Sequence, residues 1–141
     1  MKEPTNAVSR PDVDIETDIE HLIAHYPPLV KDRHSFKTQV QGGVVTVSGH
    51  VQTPITRSYL LKNLPLVPGV VDVKADALYS DETIRLEASR LIPVGVVLGR
   101  VQYGSVVLTG TLPDGTTADA LVSQIKGVPG VKQVFTDFEA S

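Results

Sequence analysis

Hydrophobic positions along the chain alternate between two periods. Ile15, Ile19, Leu22, Ile23 and Tyr26 share one face at about 100° per residue, predicting an amphipathic helix. Asp12, Asp14 and Glu16 in its first turns complement the helix dipole, and Pro27-Pro28 stops it. The period then drops to two. Phe36, Thr38 and Val40, and then Val45, Val47 and Val51, read as inward positions of two strands joined at Gln41-Gly42-Gly43. Thr53-Pro54 supplies an N-cap and a first-turn proline for a helix through Tyr59, Leu60 and Leu64. Pro65 and Pro68-Gly69 close it, and Val70–Leu78 reads as a third strand with Val73, Ala75 and Ala77 inward.

The same order recurs. Ser80 caps a helix to about Leu91, and strands follow around Val94–Gln102 and Ser105–Leu112, with a turn at Tyr103-Gly104. Thr116 or Thr117 caps a helix through Leu121, Val122 and Ile125, and Val131–Phe138 is the last strand. The residues themselves repeat. Displaced by the interval between Gly49 and Gly110, Gly43-Val44-Val45-Thr46-Val47-Ser48-Gly49 falls on Gly104-Ser105-Val106-Val107-Leu108-Thr109-Gly110, and Val67-Pro68-Gly69-Val70 falls on Val128-Pro129-Gly130-Val131.

The expected fold class is therefore α+β: two tandem α-β-β-α-β modules, each a small three-stranded mixed sheet with helices on one face. The expected boundaries are a disordered arm over 1–11, a first module over 12–78 and a second over 79–141. Modules of about 60 residues bury only about 60% of their unfolded surface, so each gains from packing on its neighbour or on a partner. Only Tyr79 and Ser80 join the two, which argues for a fixed mutual orientation.

These residues resemble the BON domain family, in tandem copies. The carrying motifs are Gly43-Val44-Val45-Thr46-Val47-Ser48-Gly49-His50-Val51 with Gly69-Val70-Val71-Asp72-Val73, and Gly104-Ser105-Val106-Val107-Leu108-Thr109-Gly110-Thr111-Leu112 with Gly130-Val131-Lys132-Gln133-Val134. The resemblance implies a non-enzymatic α+β binding module of envelope or stress proteins, proposed to associate with phospholipid membranes. It also brings in a cytoplasmic, potassium-like cation sensor as an alternative.

Composition narrows the function classes. With 16 acidic and 13 basic residues the chain has a net charge of −3, which gives no support for nucleic-acid binding. The absence of cysteine excludes disulfides and thiolate sites. Serine, threonine and lysine have no base at a meaningful spacing, so no catalytic residue, enzyme activity or cofactor is expected. No signal peptide is visible at the N-terminus, which reads as cytoplasmic; a chain trimmed of an export signal, and so periplasmic, would read the same.

Four groups of residues are candidates for sites. Gly49, Gly69, Gly110 and Gly130 read as fold determinants, the first and third at a bulge or under a closely packed helix, the others at helix-to-strand turns. Asp14, Asp18, His21 and His25 fall within an arc of about 60° on the first helix, a surface metal site or simply a solvated face. Asp114-Gly115 and Asp119 fit a turn and a helix start better than a calcium loop. Lys31, Arg33, His34 and Lys37 form the best basic cluster for anionic lipid.

The outer sheet faces differ. In the first copy they read as wet: Ser35, Lys37, Gln39, Val44, Thr46, Ser48, His50, Asp72 and Lys74. In the second, Val96, Leu98, Val107 and Phe135 would form an apolar patch facing the first copy, a second chain in a homo-oligomer, another protein partner or lipid. A one-residue slip in register would exchange the faces.

Overall fold

The computed structural model describes residues 10–139; most of the arm expected over 1–11 lies outside the described residues. The first domain is built from α1 (Asp12–Ala24), α2 (Pro27–Lys31), a 3₁₀ turn (Arg33–Ser35), β1 (Phe36–Gln41), β2 (Val44–Val51), α3 (Pro54–Asn63), a second 3₁₀ turn (Leu64–Leu66) and β3 (Asp72–Ser80). The second comprises α4 (Asp81–Ser89), β4 (Val96–Gln102), β5 (Ser105–Gly110), α5 (Ala118–Lys126) and β6 (Gln133–Phe138). Each domain holds one three-stranded sheet, β1-β2-β3 or β4-β5-β6. Its first pair is antiparallel and its second parallel.

Two separate cores lie between each sheet and its helices. Ile15, Ile19 and Ile23 of α1 pack with Val45, Val47, Leu60 and Leu78, while Ile84 and Ala88 of α4 pack with Val106, Leu108, Leu121 and Ile125. Each fully buried isoleucine contributes roughly 1.5–3 kcal/mol relative to exposure. The helices start where side chains supply caps: Thr53, Ser80 and Thr117 accept the amide N–H of Thr56, Thr83 and Ala120. Pro27 and Pro28 do more than stop α1. They open the short α2, where the first turn has no use for their missing N–H, and α2 buries Leu29.

Both hairpins close through two residues at positive φ, Gly42-Gly43 (59° and 81°) and Tyr103-Gly104 (49° and 84°). In each of the turns Val67–Val70 and Val128–Val131 the last amide N–H donates to the first carbonyl at 3.1 Å. Gly69 and Gly130 sit third, at φ 94° and 95°, as a type II turn requires. Gly49 and Gly110 also have positive φ, but no helix presses on them. A side chain at either would strike the chain entering the adjacent strand, at Ser35 and Phe36 or at Gly95 and Val97.

Two irregularities correct the expected faces. The register between β2 and β3 shifts between Thr46 and Ser48, so Ala77 turns outward and Leu78 enters the core. The register between β4 and β5 shifts at Gly99. Before this bulge, Val96 and Leu98 point inward, Val96 only 8% exposed and Leu98 packed against the second core. They belong to the core side, not to the outer patch. The outer face is instead carried by Val97, Arg100, Val107 and Phe135, with Val97 and Phe135 more than half exposed.

Candidate functional site

The contact between the domains is made by hydrogen bonds in which turn residues figure prominently, beside the Tyr79 ring of β3, which packs against the second core. Asp32, directly after α2, is 2% exposed. Its Oδ2 accepts the Gln52 amide N–H at 3.0 Å, and its Oδ1 accepts the Tyr103 hydroxyl of the second domain at 2.8 Å. Burial and then this bond to a carboxylate push the Tyr103 hydroxyl up to about 12. Tyr103 also occupies the left-handed turn position that glycine holds in the first copy, at a conformational cost of roughly 1–2 kcal/mol.

Asp81, the first residue of α4, accepts the amides of Tyr103 and Gly104 at 2.6 and 3.1 Å. Asp12 at the start of α1 does the same for Gly42 and Gly43, at 3.0 and 3.1 Å. Each first helix therefore caps its own hairpin turn with a carboxylate. Burial raises the Asp81 carboxyl above its ordinary value, partly offset by the two amides. His50, expected on the wet face, is instead 6% exposed because the second domain covers it. Its Nε2–H donates to the Gly130 carbonyl at 2.6 Å, and its ring lies tilted against Tyr79. The Glu82 amide closes the seam on the Gln52 carbonyl at 3.1 Å.

Two depressions border this seam. A groove of about 400 Å³ is lined by Tyr26, Pro27, Pro28, Lys31 and Ile55. Tyr26 there stacks flat on Tyr59 with ring centroids 3.7 Å apart. A cleft of about 490 Å³ between the domains is lined by Arg57, Asp76, Tyr79, Thr83, Glu87 and Pro129. Its arginine is committed to the carbonyls of Leu78 and Ala75, at 2.9 and 3.1 Å.

The residues singled out in the sequence are dispersed. Lys31, Arg33, His34 and Lys37 are all exposed, along α2, the 3₁₀ turn and β1, and Arg33 pairs with Glu20. Asp14, Asp18, His21 and His25 do not assemble. Asp18 pairs with Arg10 at 2.7 Å, and the His25 ring bonds the His21 carbonyl. Among the described residues no three such side chains converge as a metal site. Sequence reasoning missed Asp32, Asp81 and Tyr103. One signal was present: the duplication puts Tyr103 on Gly42, a bulky residue where φ must be positive.

The chain is thus a tandem pair of α-β-β-α-β domains, each with its helices on one face of its sheet, joined through a hydrogen-bonded seam. The BON domain pattern matches residues 11–78 and 85–139, and the chain belongs to the BON domain family. Among solved structures it is similar to the C-terminal domain of CdsD, described as the structural protein of the type III secretion system of Chlamydia trachomatis. That likeness has 17% identity and a TM-score of 0.67, and covers 86% of this chain and 63% of that one. A second CdsD structure gives 15% identity and a TM-score of 0.68, covering 92% and 63%. Such likeness speaks for the fold, and the chain spans less than two thirds of either structure. No curated protein matches the sequence. No helix among the described residues is long and apolar enough to cross a membrane.

Proposed function

We propose that the chain is a non-catalytic binding module whose contact surface is the outer face of the second sheet. The observation that carries this is the apolar patch of exposed Val97 and Phe135 with half-buried Val107, on the sheet face opposite the second core. The corresponding positions of the first domain are polar: Thr46 faces outward where the second domain has Val107. Protein partners are supported by the fold shared with a structural secretion protein. Phospholipid is supported by the family and by the exposed Lys31, Arg33, His34 and Lys37, against a net charge of −3.

Co-sedimentation with phosphatidylglycerol vesicles separates the two partners. If lipid is the partner, wild type pellets with the vesicles, Phe135→Asp stays behind, and Lys31→Glu/Lys37→Glu binds less at low salt. Wild type that remains in the supernatant removes the lipid reading. Backbone NMR shifts confined to the first domain on vesicle addition would remove the second sheet as the contact surface.

A further inference from the structure

We infer that a second copy of this chain pairs antiparallel along the open edge of β6, joining two second-domain sheets into one of six strands. Among the described residues the two sheets offer four open edges, at β1, β3, β4 and β6. Three are blunted in the ways that keep edges from pairing. β1 projects Lys37 outward, β3 carries a bulge and the charges Asp72, Lys74 and Asp76, and β4 carries the Gly99 bulge beside Arg100. β6, like β1, runs in unbroken register with its neighbour, from Gln133 to Phe138; it differs from β1 in carrying no lysine and an exposed apolar side chain, Phe135, with Asp137 its single charge.

The free backbone groups of β6 select a register. Gln133 and Glu139 donate their amides to the Gly104 and Gly110 carbonyls, at 3.4 and 2.7 Å. Backbone groups alternate sides along a strand, so Val134, Thr136 and Phe138 turn their N–H and C=O groups to the open edge. A two-fold axis perpendicular to the sheet and passing beside Phe135 sets Val134 against the partner's Thr136 in a hydrogen-bonded pair, and Thr136 against the partner's Val134. Phe135 then meets the partner's Phe135 in the closer, non-hydrogen-bonded kind of pair, on the outer face. Gln133 faces the partner's Asp137, an amide donor opposite a carboxylate. Val107 lies beside Phe135, so the apolar row continues across the axis into the same row of the second copy. Moving the axis to Thr136 would place Phe135 against a carboxylate. Self-complementarity of this kind is what an isologous dimer requires, and it favours a second copy over an unrelated strand.

This inference deepens the contact-surface reading through Phe135, but it lives on the edge rather than the face, and the two fail separately. Light scattering of the whole chain is expected to give twice 15.2 kDa at high concentration. Thr136→Pro should return it to monomer with an unchanged circular-dichroism spectrum, because the amide it removes makes no bond to β5. That variant leaves Phe135 free for vesicles, so lipid binding by the monomer would keep the face reading alive. Since the chain has no cysteine, Phe135→Cys offers a second reading in the otherwise native chain. Opposed residues in this register lie within disulfide reach, so it should oxidise to a covalent dimer, while Asp137→Cys should not. A monomeric wild type, a Thr136→Pro dimer, or equal cross-linking at both positions would overturn the inference. If Thr136→Pro unfolds, the cysteine pair decides.

Discussion

Tyr103 combines two opposed demands. Its backbone adopts a conformation that glycine holds at the matching position of the first domain, and its hydroxyl crosses to a buried carboxylate of that domain. A side chain kept in a strained turn is held there by what it touches, here Asp32. Tyr103→Phe keeps the ring and leaves the Asp32 Oδ1 without its partner, so it is expected to cost about 1–3 kcal/mol in urea unfolding. The advantage of wild type has a defined pH range. The folded hydroxyl holds its proton up to about 12, against 10.0 in the unfolded chain. The bond therefore contributes fully below pH 10.0 and is lost as pH rises through about 12. The difference between wild type and Tyr103→Phe should shrink over that window; a difference constant to its alkaline end would count against the bond.

Among the elements, those governed by local chemistry were legible in the sequence. The N-caps Thr53 and Ser80 stand where they were expected, and Thr117 resolves the alternative with Thr116. Both hairpins and both Val-Pro-Gly-Val turns follow from proline and glycine at fixed offsets. The bulges were not legible. An extra residue in one strand changes which side chains face inward without disturbing the alternation of residue types, and so Val96 and Leu98 read as outer positions when Gly99 turns them into the core. His50 and the Tyr103 contact of Asp32 depend on where the second domain sits, and Asp81 depends on the fold that brings α4 against its own hairpin turn; no local pattern encodes either. The turns do make a sharp prediction. At Gly130 a β-carbon would lie 2.6 Å from the Tyr79 ring and 3.0 Å from Ile84, with φ at 95°. Gly130→Ala should destabilise the second domain by roughly 2 kcal/mol or more, through strain and overpacking together. A melting temperature within experimental scatter of wild type would show that the turn tolerates it.

At the scale of the molecule, the two domains share residues at their junction. Ser80 ends β3 and caps α4, leaving no linker between the sheet of one domain and the first helix of the next. Tyr103 on Asp32 and His50 on Gly130 then fasten the seam at two further points. Wild type is expected to unfold in one calorimetric transition, and Tyr103→Phe/His50→Ala in two, as each core melts on its own. Two transitions already in wild type would mean that the seam does not couple the domains.

The junction at Ser80 also fixes a distance. With no slack between the sheets, any body that touches both meets its second contact at a set spacing, already aligned when the first has formed. The entropy that a flexible tether would surrender at that step is absent, and the effective local concentration of the second site is high for matching geometries and negligible for others. As the binding module proposed above, a chain joined in this way would act as a gauge, discriminating between surfaces by the separation of their features as well as by their chemistry.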